Sequence, residues 1–383
     1  MSVTAPQGFR AAGVAAGLKT SGGLDVALVV NDGPSHAAAG VFTSNRVKAA
    51  PVLWCEQVLT TGQLTAAILN SGGANACTGP DGFADTHRTA EYVAVELEIG
   101  AADVAVASTG LIGLRLPMPE LLAGISAAVK ELSVDGGGSA AEAIMTTDSV
   151  PKQASLTRAG FTVGGMAKGA GMLAPGLATM LVVLTTDAQA EAAGLDAALR
   201  AACALTFDRV DSDGAMSTND TVLLLASGAS GKTPDQAMLI EAVTEVCHAL
   251  AQQLLADAEG STKDISITVE QAASVDDALA VARAIARNNL VKCAFFGADP
   301  NWGRILAAVG TTAAAFEPDL LDVVINGVEL CHAGGIGKDR EACDLSGRAV
   351  DVRIRLHAGE HEATVWTNDL SLAYVHENSA YSS

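Results

Sequence analysis

The stretch APGLATMLVVL, residues 174–184, decides how this chain reads. A Pro-Gly pair and a short linker lead into Thr179. From there TMLVVLTTD (179–187) is an apolar run with few polar residues, which predicts a strand buried on both faces. Thr179 at its first position has two readings. A β-branched residue suits a strand. Alternatively, a cut before Thr179 joins its hydroxyl to a new amino group, placing a nucleophile and a base on one residue. The chain has many threonines, and periodicity does not choose among them.

Working outward, strand and helix patterns alternate on both sides of this run. LDVALVV (24–30) and LTAAILNSGGAN (64–75) predict strands, the second feeding a Gly-rich loop. Residues 82–99 are helical in composition, 102–110 predict a strand, and 119–132 a helix with Pro119 at its start. After residue 187 come a helix (194–205), the polar loop DSDGAMSTND (211–220) and the strand TVLLLAS (221–227). The next helix has Leu239, Val243, Val246, Leu250 and Leu254 at helical spacing, with Thr233 as its predicted cap and Pro234 in its first turn. Residues 264–270 predict a strand and 274–289 a helix capped by Ser274. Residues 322–330 and 350–359 predict late strands. The expected class is layered α/β.

Composition narrows the function classes. The 383 residues carry 23 Lys plus Arg against 43 Asp plus Glu, a formal net charge of −20, which argues against nucleic acid or an anionic membrane as partner. The uncharged segments 57–80 and 169–186 are interrupted by Gly and Thr, and read as strands with adjoining loops rather than membrane spans. Seven scattered cysteines without a CxxC pair fit reduced thiols, and the N-terminal segment shows no export signal, so a cytoplasmic protein is expected.

Several motifs compete as sites. ASGASGKT (226–233) has Ala226 where a phosphate-binding loop needs Gly, and reads as a turn. The carboxylates of DSDGAMSTND lack the full oxygen set of a calcium loop, so no metal is expected. NSGGANACTG (70–79) and HAGGIGKD (332–339) are Gly-rich loops able to bring backbone N–H groups near a ligand.

MAKGAGMLAPGLATMLVVLTTDA (166–188) resembles the self-processing segment of the ornithine acetyltransferases, the ArgJ family of arginine biosynthesis. The likeness extends through GFRAAGVAAGLK (8–19), FTSNRV (42–47), NSGGANACTG, STGLIG (108–113) and IMTTDSVPK (144–152). It continues in STNDTVLLLASG (217–228), DAEGSTK (257–263), GADPNWGRI (297–305) and YVHENSAYSS (374–383). One departure stands just before the expected cut, where Gly176 and Leu177 replace the Asn-Met of many members.

The resemblance implies a DmpA/ArgJ-like α/β sandwich of mixed sheets flanked by helices. It implies self-cleavage between Ala178 and Thr179 into an α piece (1–178) and a β piece (179–383) that together form one catalytic unit. It also implies transfer of acetyl from N-acetylornithine to glutamate through an acetyl-Thr179, releasing ornithine and N-acetylglutamate. Thr109 and Gly110 match the oxyanion pair. Thr146 or Thr147, Lys168, Thr179, Glu259, Asn378 and Ser383 match the substrate-binding positions. No cofactor is expected. Acetyl-CoA is left open as a second donor, since some members use it and others do not. The paired pieces are expected to form a higher homo-oligomer. Two rivals remain: an autoprocessed N-terminal-nucleophile aminopeptidase or amidase with water as acceptor, and a non-catalytic binding protein in which Thr179 is only a strand residue.

Overall fold

The computed structural model describes residues 2–174 and 180–380. Ala178, Thr179 and Ser383, and with them the expected cut, lie outside the described residues.

Three sheets organise the chain. The first is four-stranded, in the order β1 (Phe9–Val14), β2 (Val26–Asn31), β4 (Ala66–Asn70), β5 (Val104–Ser108), with β4 and β5 parallel. The second is five-stranded, in the order β3 (Ala37–Phe42), β9 (Thr221–Ala226), β8 (Leu181–Thr186), β7 (Phe161–Lys168), β6 (Lys152–Arg158). Within it β8 runs parallel to β9 and antiparallel to β7. The third sheet joins β13 (Gly335–Ile336), β12 (Val328–His332), β11 (Asp322–Ile325), β14 (Ala349–Arg355), β10 (Asp264–Ala272) and β15 (His361–Asn368).

The strand expected over 179–187 is observed as β8, Leu181–Thr186, every residue of which is buried. Alternation divides the strand between two cores. Leu181 and Val183, with Leu223 and Leu225 of β9, join the core that contains Leu28, Ile68 and Val106 of the first sheet. Val182 and Leu184, with Val222 and Leu224, pack with Leu199, Val243 and Leu250 of α5 (Ala192–Leu205) and α6 (Gln236–Ala256). Positions 181–184 therefore face one core or the other and are all apolar, and truncating one such Leu to Ala costs about 2–5 kcal/mol. Helices α1 (Ala50–Val58), α2 (Gly79–Leu97), α3 (Met118–Glu131) and α4 (Gly137–Ala143) contact the first sheet. The third sheet carries α7 (Val275–Ala286) against β10 and β15, followed by α8 (Asn289–Phe296), α9 (Trp302–Val309) and, at the end of the chain, α10 (Leu372–Ala380). Mixed sheets flanked by helices are thus the observed architecture.

Two local expectations need correction. Asp235, not Thr233, caps α6: its side chain accepts the Met238 N–H at 2.8 Å. A residue before proline is biased away from helical backbone, so the helix begins after Pro234 rather than around it. The run 322–330 is not one strand but part of a hairpin, β11 and β12, turning at Asn326 and Gly327, both with positive φ. The predicted cap of α7 is present, with Ser274 Oγ accepting the Asp277 N–H at 3.1 Å.

Candidate active site

The ends of β5 and β7 and the turn after α6 meet on one cavity. Beyond β5, the Thr109 N–H donates to the Asn70 carbonyl at 2.9 Å, and the Gly73 N–H donates to the Thr109 carbonyl at 3.0 Å. The two Gly-containing loops NSGGAN and STGLIG are thereby laced together. Gly110 has φ +131°, and a Cβ there would lie 2.8 Å from Gly73 N, so the position admits only glycine without strain. Among the described residues the Gly110 N–H has no acceptor.

Lys168 closes β7, paired with Leu181 of β8, and its side chain is only 2% exposed. Its ammonium lies 3.5 Å from Thr109 Oγ1 and 3.9 Å from Asp148 Oδ2, both too long for a strong hydrogen bond. Burial lowers its pKa, and the charge of Asp148 works against that. Asp148 is itself fully enclosed. Its Oδ1 accepts from Lys152 Nζ and from the Gly169 N–H, each at 2.6 Å, and its Oδ2 accepts the Thr146 N–H at 2.9 Å. Burial alone would raise its pKa, but the charges of Lys168 and Lys152 outweigh it and hold the carboxyl at about 2. Lys152 is fully committed, with Asp257 as its second carboxylate at 2.6 Å. Among the described residues that line the cavity, Lys168 is the cation, held less tightly at 3.5 Å and 3.9 Å from its nearest oxygens.

Glu259 supplies the opposite sign. Its carboxylate accepts Thr147 Oγ1 at 2.8 Å and Asn378 Nδ2 at 3.0 Å, while its N–H donates to the Ala170 carbonyl at 2.9 Å. A Cβ at Gly171 would sit 2.7 Å from either carboxylate oxygen, so that glycine makes room for the acid. Asn378 reaches it because α10 is docked: Ser371 Oγ donates to the Gly260 carbonyl at 2.5 Å and accepts the Tyr374 N–H at 3.0 Å.

Seven residues expected at the site therefore line a single cavity of about 90 Å³: Thr109, Gly110, Thr146, Thr147, Lys168, Glu259 and Asn378. Both threonines belong to it, with different duties. Thr146 is fixed through its N–H to Asp148, and Thr147 acts through its hydroxyl on Glu259. A larger cavity of about 370 Å³, lined by Leu18, Lys19, Ser71, Gly72 and Leu114, shares Gly110, Thr146 and Thr147 with it. Sequence reasoning missed Asp148 and Lys152. Asp148 sits in the quoted block IMTTDSVPK, but nothing local shows that it is buried between two lysines.

Metal ligands do not gather here. Among the described residues, the one grouping of His, Asp and Glu at metal-ligand spacing is Asp322, Glu329 and His332 on the third sheet. None of them lines this cavity, and Arg355 already lies 3.4 Å from Glu329. In the loop 211–220, Asp211 is paired with Arg287 at 2.7 Å, and Asp213 accepts the backbone N–H groups of Met172 and Ala215.

Comparison with known proteins adds an independent line. The family model described as the ArgJ family matches residues 10–383. The arginine biosynthesis bifunctional protein ArgJ of Streptomyces coelicolor is 65% identical over 383 residues, covering all of both chains. That of Mycobacterium tuberculosis is 63% identical, covering all of this chain and 96% of the other. Among solved structures, ornithine acetyltransferase complexed with ornithine from Mycobacterium tuberculosis is 66% identical over 47% of this chain and 96% of its own, with a TM-score of 0.45. The loops that lace together at Thr109 and the residues that converge on one cavity are thus found in a chain matched from residue 10 to its last residue, and the protein belongs to the ArgJ family.

Proposed function

We propose that this chain is a self-processing ornithine acetyltransferase that moves acetyl from N-acetylornithine to glutamate. One observation carries the reading beyond family membership. A buried ammonium, Lys168, whose partners among the described residues stand no nearer than 3.5 Å, and a carboxylate, Glu259, line one small cavity beside the N–H of Gly110. An α-amino acid with a cationic side chain offers the complementary pair of charges. Its α-carboxylate suits Lys168, and its side-chain ammonium suits Glu259.

In this reading the bond between Ala178 and Thr179 is broken, leaving pieces 1–178 and 179–383 associated. Thr179 Oγ attacks the acetyl carbonyl while its own α-amine takes the hydroxyl proton. The tetrahedral oxyanion is received by the Gly110 N–H and the Thr109 hydroxyl, since the Thr109 N–H is spent on Asn70. Collapse breaks the C–N bond, and the proton passes to the departing nitrogen of ornithine. The amine of glutamate then attacks the acetyl ester, the Thr179 oxygen leaves with that amine's proton, and N-acetylglutamate is released. Thr146, Thr147, Lys168, Glu259, Asn378 and Ser383 hold the amino acids. No cofactor enters these steps, and acetyl-CoA would charge the same hydroxyl as a second donor. A cytoplasmic location and a higher homo-oligomer complete the proposal. Among the described residues no helix is long and apolar enough to cross a membrane.

Intact mass before and after N-acetylornithine tests the reading. The expected result is two fragments, the one beginning at Thr179 gaining one acetyl group that glutamate then removes. A single uncut chain, or release of acetate without N-acetylglutamate, would overturn it. Replacing N-acetylornithine by acetyl-CoA in the same assay tests the second donor.

A further inference from the structure

The two amino acids of the scheme above make opposite demands on one site. The side chain of ornithine is cationic and suits Glu259, whereas that of glutamate is an anion that the same carboxylate repels. Lys168 is assigned to the α-carboxylate that both carry. A second cation is needed for the acceptor's other end.

Lys19 is in place to supply it. Among the residues that line the cavity of about 370 Å³, it is the one with a charged side chain. That cavity shares Gly110, Thr146 and Thr147 with the smaller one, so the two spaces adjoin, Glu259 lining one and Lys19 the other. Lys19 Nζ donates to the Leu24 carbonyl at 2.7 Å, its one side-chain hydrogen bond among the described residues, and an ammonium carries three donors. Burial lowers its pKa, the charges of Asp25, Asp148 and Glu142 work against that, and Lys168 adds a like charge. The two lysines therefore share one electrostatic neighbourhood.

The loop that carries Lys19 is built to hold it there. Asp25 is fully buried, and its carboxylate accepts the N–H groups of Ala16 and Leu18, each at 2.6 Å, and of Lys19 at 3.1 Å. The Asp25 carbonyl in turn accepts the Ser71 N–H at 3.0 Å. A Cβ at Gly72 would lie 2.2 Å from Leu18 Cβ, so that glycine lets the two loops close on one another. The end of GFRAAGVAAGLK is thereby set against the loop whose Gly73 is bonded to Thr109.

We propose that Lys19 binds the side-chain carboxylate of the acceptor amino acid, and that the cavity it lines is the acceptor's subsite. This rests on the acetyl transfer proposed above. Donor and acceptor share the contact at Lys168 and part company at Thr146 and Thr147, the cationic arm turning to Glu259 and the anionic arm to Lys19. Each charge attracts one side chain and repels the other, which is how a single site discriminates between two amino acids. No bond forms or breaks at Lys19.

Lys19→Met keeps the length and the apolar stem but removes the charge, and Lys19→Arg keeps the charge. Glutamate and glutamine, alike in shape and unlike in side-chain charge, serve as rival acceptors, and wild-type protein should prefer glutamate. In Lys19→Met the KM for glutamate should rise about 10- to 100-fold, and the preference over glutamine should shrink by the same factor. Lys19→Arg should retain most of that preference, and acetylation by N-acetylornithine should change little in either variant. A purely structural lesion slows both acceptors alike and leaves their ratio in place. An unchanged ratio, or KM values for N-acetylornithine and glutamate rising together, would overturn the inference. A second measurement needs no substitution. In wild-type protein with 15N-labelled lysine, glutamate should perturb one more ammonium signal than glutamine, since both reach Lys168 and only glutamate pairs with Lys19. The same set of signals moving with both would also overturn it. Wild-type protein that passes no acetyl to glutamate defeats the parent reading. Wild-type protein that does so, with the ratio unchanged in Lys19→Met, defeats only the role of Lys19.

Discussion

Thr147 Oγ1 stands 2.8 Å from Glu259 Oε1, and the two residues lie on opposite sides of Thr179 in sequence. The acid proposed to face the substrate's cationic end is therefore aimed by a hydroxyl from the other piece of the proposed cut chain. Asn378 completes its support from the C-terminal helix.

Glu259→Gln removes the charge while keeping the shape. The first half-reaction, with N-acetylornithine, should lose roughly 10- to 100-fold in kcat/KM, the cost of a hydrogen bond to a charged group. Deacetylation by glutamate, whose side chain is anionic, should fall less. Rapid-quench intact mass separates the two steps, and equal losses in both would contradict this role for Glu259.

Lys168→Met tests the carboxylate partner. Asp148 keeps Lys152 at 2.6 Å, so the fold should survive. Both substrates carry an α-carboxylate, so KM for N-acetylornithine and for glutamate should rise together, by about 10- to 100-fold. Steady-state kinetics decides it: an increase confined to one substrate is the adverse result.

Gly110→Ala forces a Cβ to within 2.8 Å of Gly73 N at a backbone angle that L-residues rarely adopt. The shift should displace the N–H proposed to receive the oxyanion and lower kcat by about 10²–10³-fold, with KM little changed. Thermal melting should fall as well, since the two loops can no longer close on one another.

Acid stability should report Asp148. Its carboxyl titrates at about 2 in the fold against 3.8 ordinarily. A depressed carboxyl stabilises the folded state above its unfolded pKa, and that contribution is lost as pH falls through the folded value. Denaturant unfolding at pH 5 and pH 2 should show wild type losing about 2 kcal/mol that Asp148→Asn does not lose.

What was legible in the sequence follows from which forces are local. The apolar run of β8 announces burial on both faces because every residue in it is apolar or a small Thr. Ser274 announces a helix because capping acts within three residues. By contrast, the hairpin of β6 and β7 is hidden, since FTVGGMAK dilutes its strand pattern with two glycines. Lys168 looks like a solvated loop residue until pairing with Leu181 puts it at the end of a buried strand. Thr109, Gly110 and Glu259 came from family resemblance rather than from pattern. Asp148 lies in a short polar segment whose burial depends on partners far away in the chain, and it carries no local mark.

The five-stranded sheet has a manufacturing consequence. β3, β6 and β7 precede residue 178, while β8 and β9 follow it, yet β9 is bonded to β3 and β8 to β7. Made from two separate genes, each half would expose raw strand edges, β3 and β7 on one and the Leu- and Val-rich β8 and β9 on the other, open to pairing with other chains before finding its mate. Only synthesis as a single polypeptide lets those edges meet at high local concentration, so a later nick leaves the particle whole.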